Sequence, residues 1–247
     1  MRLLIVFAVL IVGVVGVALF YQSDAFAITT VRVTGAQRLT NNHLEQLAAV
    51  PAGSTLLRVD IEGIRQRLAD DPWVAEVSVV REYPSTLVIE IKERTPFAIV
   101  ETYIDLVSND VVPWLISSDG VWLGNTDGSS SDVIITDEEI MACHLINGVQ
   151  HNVQPSLGKK CVDVGVINAL TILAGLSPEM CSLIKNIEAP DRNQTTLTLR
   201  NNVIVAFGAA EDIEAKETAI KTCLNEYPDT LISINVRVAD RVTVSFL

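Results

Sequence analysis

Residues 3–20 of this 247-residue chain, LLIVFAVLIVGVVGVALF, hold no polar side chain. At about 1.5 Å of rise per residue, a helix over that run is about 27 Å long, close to the thickness of a bilayer's hydrocarbon core. The run therefore predicts a membrane-spanning helix at the front of the chain. Arg2 precedes it and Asp24 follows it. Because positive charge stays on the cytoplasmic side, the expected topology is single-pass, with the N-terminus inside and the bulk of the chain outside. A cleaved signal peptide is the competing reading, since Ala25-Phe26-Ala27 resembles a small-x-small cleavage site that would leave Ile28 first. The run is longer than the usual signal core, which favours retention.

The chain as a whole is acidic. Thirty Asp and Glu face eighteen Lys and Arg, a formal charge of −12, which disfavours binding to nucleic acid phosphates. Hydrophobic residues make up 49% and charged residues 19%, enough apolar surface to offset the entropy of ordering, so the chain is not disordered. Aromatics are only 5%, so the core must be built from Val, Ile, Leu and Ala, a composition that suits sheets with packed helices.

The first exterior segment reads as strand, helix, helix, strand, strand. Residues 28–34 (ITTVRVT) alternate apolar and polar and then meet Gly35. Thr40 and Asn41 can cap a short helix through Leu44 and Leu47, with His43 as a polar surface residue near its start. Pro51-Ala52-Gly53 breaks that helix. Asp60 offers its carboxylate to a second helix with Ile61, Ile64 and Leu68 on one face, and Asp71-Pro72 ends it. Val77 and Val79 then alternate with Glu76 and Ser78. After Glu82-Tyr83-Pro84-Ser85, Leu87, Ile89 and Ile91 alternate with Glu90 and Lys92, a hairpin with one dry face. Trp73 reads as a core anchor. Arg81 and Arg94 are expected to pair with Glu82, Glu90 or Glu93 across the hairpin.

The later region is dominated by strands. Apolar stretches at 98–100 and 111–116 precede a Ser118-Asp119-Gly120 turn and a short strand at 121–123, and a small polar loop covers 124–132. Helices are expected at 162–176, with Val166, Ile167, Leu170 and Leu173 on one face and Ser177-Pro178 as the stop, and at 210–225. There, Glu211 and Asp212 suit the N-terminal end and Lys221 the other. Strands follow at 195–200, 203–207 after an Asn201-Asn202 turn, 232–238 and 242–247.

No catalytic constellation emerges. Asp70-Asp71, Glu138-Glu139 and Glu211-Asp212 point to different faces, and Ser129 to Ser131 lack a nucleophile elbow. Cys143, Cys161, Cys181 and Cys223 allow up to two disulfides in three connectivities, and with His144 and His151 they leave a zinc site open, although no paired-ligand spacing supports it. An alternative function is therefore a secreted or periplasmic enzyme or sensor with a disulfide- or zinc-stabilised C-terminal domain. The reading preferred from the residues is a scaffold with no cofactor and no small-molecule substrate. Val242, Val244 and Phe246 alternate with Thr243 and Ser245 in the last strand, and no element follows to cover it. An open edge of that kind binds a partner strand through main-chain hydrogen bonds. An ordinary last strand shielded by a loop or paired on both sides is the competing reading.

Several segments carry a family resemblance: Val-Arg-Val-Thr-Gly (31–35), Leu-Leu-Arg-Val-Asp (56–60), Asp-Pro-Trp-Val (71–74), Val-Val-Arg-Glu-Tyr-Pro-Ser-Thr-Leu (79–87) and Ile-Lys-Glu-Arg-Thr-Pro-Phe-Ala (91–98). Weaker matches run through 116–123, 197–202, Phe207-Gly208 with Lys216 downstream, and 232–246. Together they resemble FtsQ/DivIB cell-division proteins. The family's cytoplasmic tail is usually longer than the Met1 and Arg2 that precede the apolar run here. The resemblance implies an α+β chain in three parts: a cytoplasmic end and transmembrane helix (1–22), a POTRA-type βααββ domain (23–97), and a mixed antiparallel β-sheet domain with flanking helices (98–247). It implies a bitopic, non-enzymatic scaffold at the division septum that binds FtsB/FtsL-type partners, with septal peptidoglycan synthase components as further partners, to help localise and regulate septal peptidoglycan synthesis. The family's partner-binding positions fall here on Val238, Asp240, Arg241, Val242, Thr243, Val244, Ser245 and Phe246, with Arg192 resembling a partner-contacting arginine.

Overall fold

The computed structural model describes residues 7, 10–16, 24–105, 110–126, 133–228 and 230–246. Of the apolar run, residues 10–16 are helical with exposed side chains, and the rest lies mostly outside the described residues. Among the described residues no helix is long and apolar enough to cross a membrane. The chain divides into two compact units, 1–93 and 94–247.

The first unit follows the expected order: β1 (Thr30–Thr34), α1 (Asn41–Ala48), α2 (Ile61–Ala69), β2 (Val74–Glu82) and β3 (Thr86–Glu93). Thr40 caps α1 by accepting the His43 amide at 3.3 Å, and Asp60 caps α2 by accepting the Gly63 amide at 2.9 Å. Both helices bury an i, i+4 pair, Leu44 with Ala48 and Ile64 with Leu68. These pack on a three-stranded sheet ordered β1-β3-β2, in which β1 runs parallel and β2 antiparallel to the central β3. From β3, Leu87, Ile89 and Ile91 are buried, and each contributes about 1.5–3 kcal/mol of apolar burial. Trp73 is buried as expected, at 6% exposure.

Gly35 ends β1 at φ 86°, and a Cβ there would overlap the Ile91 carbonyl oxygen, so both its conformation and its space demand glycine. The loop that follows is held by Glu93. Its carboxylate, 4% exposed, accepts the amides of Gln37 (3.0 Å), Arg38 (2.9 Å) and Leu39 (2.8 Å). Two local expectations change. Arg81 donates to the carbonyls of Leu56 and Val59 rather than to an acidic neighbour across the hairpin, because its long side chain reaches the main chain of that loop. His43 is largely buried against Asp71, with Nε2 2.8 Å from Oδ2, and joins α1 to the segment after α2.

The second unit contains β4 (Pro96–Tyr103), β5 (Val111–Ser117), β6 (Trp122–Asn125), α3 (Asp137–Ala142), β7 (His144–Asn147), α4 (Val164–Gly175), α5 (Pro178–Leu183), β8 (Ile184–Glu188), β9 (Thr196–Leu199), β10 (Ile204–Ala206), α6 (Ile213–Glu226), β11 (Leu231–Asn235) and β12 (Thr243–Phe246). Residues 127–132 of the expected polar loop lie outside the described residues. One nine-stranded sheet runs β12-β11-β10-β9-β8-β7-β4-β5-β6. It is mixed: β4–β7, β7–β8 and β10–β11 pair in parallel, and the others are antiparallel. Parallel neighbours need a crossover, which α4 with α5 supplies between β7 and β8 and α6 supplies between β10 and β11.

A single row of side chains crosses seven strands in register: Val100, Ile146, Ile187, Leu197, Val205, Ile234 and Val244. The first six are 0% exposed. Val244, at the edge, is only half-buried. Of the face expected on α4, Val166, Leu170 and Leu173 are buried, whereas Ile167 is 42% exposed.

Candidate partner-binding edge

The last two strands are joined by a turn in which the Arg241 amide donates to the Val238 carbonyl at 3.0 Å. Val238, Asp240 and Arg241 are exposed on it. β12 then returns antiparallel to β11, with Asn235 opposite Thr243, Ile234 opposite Val244, Ser233 opposite Ser245 and Leu231 opposite Phe246. A bulge at Ile232 lets Leu231 and Ile234 both point inward despite their spacing of three.

The faces of β12 differ. Val242 and Val244 pack against the core. Phe246 is 47% exposed and meets Tyr227 edge to face, with ring centroids 5.1 Å apart at 69°. Tyr227 is the C-cap of α6, so that helix backs the end of the strand. Thr243 and Ser245 face the other way, and the Ser245 hydroxyl bonds that of Ser233. Beyond β12 no strand of the described residues pairs with it. Its outer main-chain groups are therefore those of an edge strand.

Arg192 is exposed and ion-paired with Glu211, itself exposed, an arrangement worth about 0–1 kcal/mol. It lies four residues before Thr196, which stands in register with Ala206, Asn235 and Thr243. The structure thus places Arg192 and the 238–241 turn at the same end of the sheet. β9 and β12 are nevertheless three strand spacings apart, about 14 Å. One element cannot present both.

Two buried polar side chains build this end, and they left unequal traces in sequence. Asn168 on α4, 5% exposed, donates to the carbonyls of Arg192 (3.2 Å) and Gly208 (2.9 Å) and to Thr195 Oγ1 (2.8 Å), and accepts from the Ala210 amide (2.8 Å). Lys216 on α6, 2% exposed, donates to the carbonyls of Phe207 (3.1 Å) and Ala209 (2.8 Å) and lies 4.8 Å from the Phe207 ring centre. Burial lowers the Lys216 ammonium below its usual range, against the opposing pull of Glu211 and Asp212. Lys216 stands out through its place after Phe207-Gly208. Asn168 offered only the faint sign of one amide in an otherwise apolar helical stretch.

The cysteine region is arranged differently. The four thiols are free. Burial raises each, and the thiols of Cys143 and Cys161 reach about 11, which keeps them protonated at neutral pH. Among the described residues no three His, Cys, Asp or Glu side chains converge as metal ligands.

Residues 26–94 match the family model of the FtsQ-type POTRA domain. Similarity extends well beyond that domain. The cell division protein FtsQ of Corynebacterium glutamicum is 25% identical over 218 residues, 87% of this chain and 86% of that protein. Along most of its length the chain is similar to FtsQ cell-division proteins. The FtsQ of Streptomyces collinus is 26% identical over 231 residues, 92% of this chain and 82% of that protein. The FtsQ of Mycolicibacterium smegmatis is 28% identical over 228 residues, and there the chain spans 91% of itself but 60% of its relative. The similarity thus extends over both units.

Proposed function

We propose that this FtsQ-like chain is a single-pass membrane scaffold of the division machinery, anchored by residues 3–20 with its two units outside the cytoplasm. In this reading β12 accepts a strand from an FtsB/FtsL-type bitopic protein at the septum. Septal peptidoglycan synthase components join through that assembly, and their activity is localised by it. The observation that carries the reading is the edge itself. β12 is extended, its outer side is unpaired by any described strand, and one face of it continues the apolar row of the sheet. Strand addition binds by main-chain hydrogen bonds and needs no reactive side chain. A partner strand would meet Val242, Val244 and Phe246 on one face and Thr243 and Ser245 on the other. The acidic net charge of −12 suits a partner with basic residues, with the gain in association rate rather than affinity.

The test uses prolines at neighbouring positions. Along an antiparallel edge, successive amides point alternately inward and outward. Of Val244→Pro and Ser245→Pro, one removes a donor to β11 and the other a donor to the open side. Both variants, in the full chain, should fail to co-purify the FtsB/FtsL-type protein from membranes, as should a chain ending at Asp240. Only one of the prolines should lower the melting temperature. A folded pair of variants that both retain the partner would reject strand addition.

A further inference from the structure

We propose that the β2–β3 turn of the first unit, with Tyr83 at its tip, is a bilayer-contact surface that sits in the lipid headgroup layer. The proposal rests on the reading of residues 3–20 as a membrane anchor and goes beyond it by assigning the face of the domain that meets lipid.

Chain length sets the first constraint. Phe26 follows Phe20, the last residue of the apolar run, by six positions, and six residues reach at most about 20 Å. From Phe26 onward the chain is tied down. The Leu56 amide donates to the Phe26 carbonyl at 2.8 Å, the Ile28 amide to the Ser54 carbonyl at 2.9 Å, and the Thr29 amide to the Ser85 carbonyl at 3.0 Å. The last of these fastens the entering segment to the turn itself. The Phe26 ring also meets the Tyr83 ring edge to face, with centroids 5.6 Å apart. The turn therefore stands beside the point where the chain enters the domain.

The chemistry of that end matches its position. Tyr83, although it meets the Phe26 ring, is still 56% exposed, and Val80 is 48% exposed. A tyrosine presents an apolar ring with a polar tip, the combination enriched at headgroup depth. Arg58, exposed and bonded through Nε to Thr55 Oγ1 at 3.1 Å, adds a cation beside the same entry loop. Both ends of the sheet carry an exposed ion pair, Arg32 with Glu82 at 3.0 Å beside the turn and Glu76 with Lys92 at 2.6 Å at the far end, so the turn is set apart by its exposed Tyr83 and Val80. Six residues of β2 separate Glu76 from Glu82, about 20 Å of strand.

The experiment uses the full chain reconstituted into vesicles of phosphatidylethanolamine and phosphatidylglycerol doped with headgroup-spin-labelled lipid. Three variants, Tyr83→Trp, Val80→Trp and Lys92→Trp, each add a reporter whose emission is read as the increment over the parent chain. Val80→Trp keeps the test intact if Tyr83→Trp does not fold. The added emission should be lost for the most part at position 83, lost in smaller part at 80, and untouched at 92, where aqueous acrylamide should quench it instead. Flotation of the same samples separates the two readings. A chain that does not float with the vesicles overturns the anchor and the contact together. One that floats but quenches equally at 83 and 92, or at neither, overturns the contact surface alone.

Discussion

At one edge of the nine-stranded sheet the chain seals itself. The Gly158 amide donates to the Trp122 carbonyl at 2.9 Å, the Trp122 amide to the Lys159 carbonyl at 3.0 Å, and the Cys161 amide to the Gly120 carbonyl at 2.7 Å. Trp122 ends up 2% exposed. At the other edge β12 has no such cover among the described residues, and its Phe246 is 47% exposed. The comparison teaches that the bare edge is a local property. A few residues of loop suffice to close β6, so the same sheet could have been closed at both sides. β12 also lacks the usual protection against stray pairing, since Thr243, Val244, Ser245 and Phe246 carry no charge and no proline. Its protection is shortness alone.

The largest effect expected from breaking this contrast is at β12. The outward-facing member of the Val244→Pro and Ser245→Pro pair should weaken partner binding by about a hundredfold or more, measured by titration of the purified partner ectodomain. Opening the sealed edge should come next. Gly158 sits at φ 75° and donates to Trp122, so Gly158→Pro should cost about 1–3 kcal/mol in denaturant unfolding and produce self-association by light scattering while partner binding survives. Equal loss of partner from that variant would show that the two edges are not independent. Phe246→Ala removes the Tyr227 contact and should weaken binding by a factor of about three to ten, in line with about 0.5–1.5 kcal/mol for an aromatic pair.

A pH test reads the helix that backs β12. Burial pushes the Glu217 carboxyl upward, but hydrogen bonds from Lys221 and from the Ser177 hydroxyl and amide outweigh it and hold the group below its ordinary value of 4.5. A carboxyl held low in the folded state contributes stability above pH 4.5 that is lost as pH falls through the folded value. Glu217→Gln should therefore flatten the acid limb of a stability profile below pH 4.5 and leave the neutral-to-alkaline shape unchanged. The smallest effect belongs to Arg192→Ala. Its exposed pair with Glu211 predicts a stability change within about 1 kcal/mol, so any large loss of partner binding in that variant reports a direct contact.

Much of the fold was readable because its signals are local. Period-two alternation marked β1, β2, β3, β9 and β12, and Thr40, Asp60 and Asn202 marked their caps and turn, the last at φ 64°. Short parallel strands were not readable. β7 and β8 are four and five residues long and take their meaning from β4 and from each other, distant in sequence. Ser177-Pro178 stops α4 but also starts α5, with Ser177 as cap and proline in the first turn, a pair of residues that carries both signals at once. At the candidate site the strand was legible and its openness was not, because coverage of an edge depends on residues far along the chain. The grip of Asn168 on the Arg192 and Gly208 carbonyls is tertiary in the same sense.

Glu93, the last residue of β3, holds three consecutive amides of the segment that follows β1. Those amides have no secondary structure of their own, yet they are released only when the end of the central strand lets go. Hydrogen exchange at Gln37, Arg38 and Leu39 should accordingly be as slow as in β3, and the first unit should open in one cooperative event with no early melting of its loop.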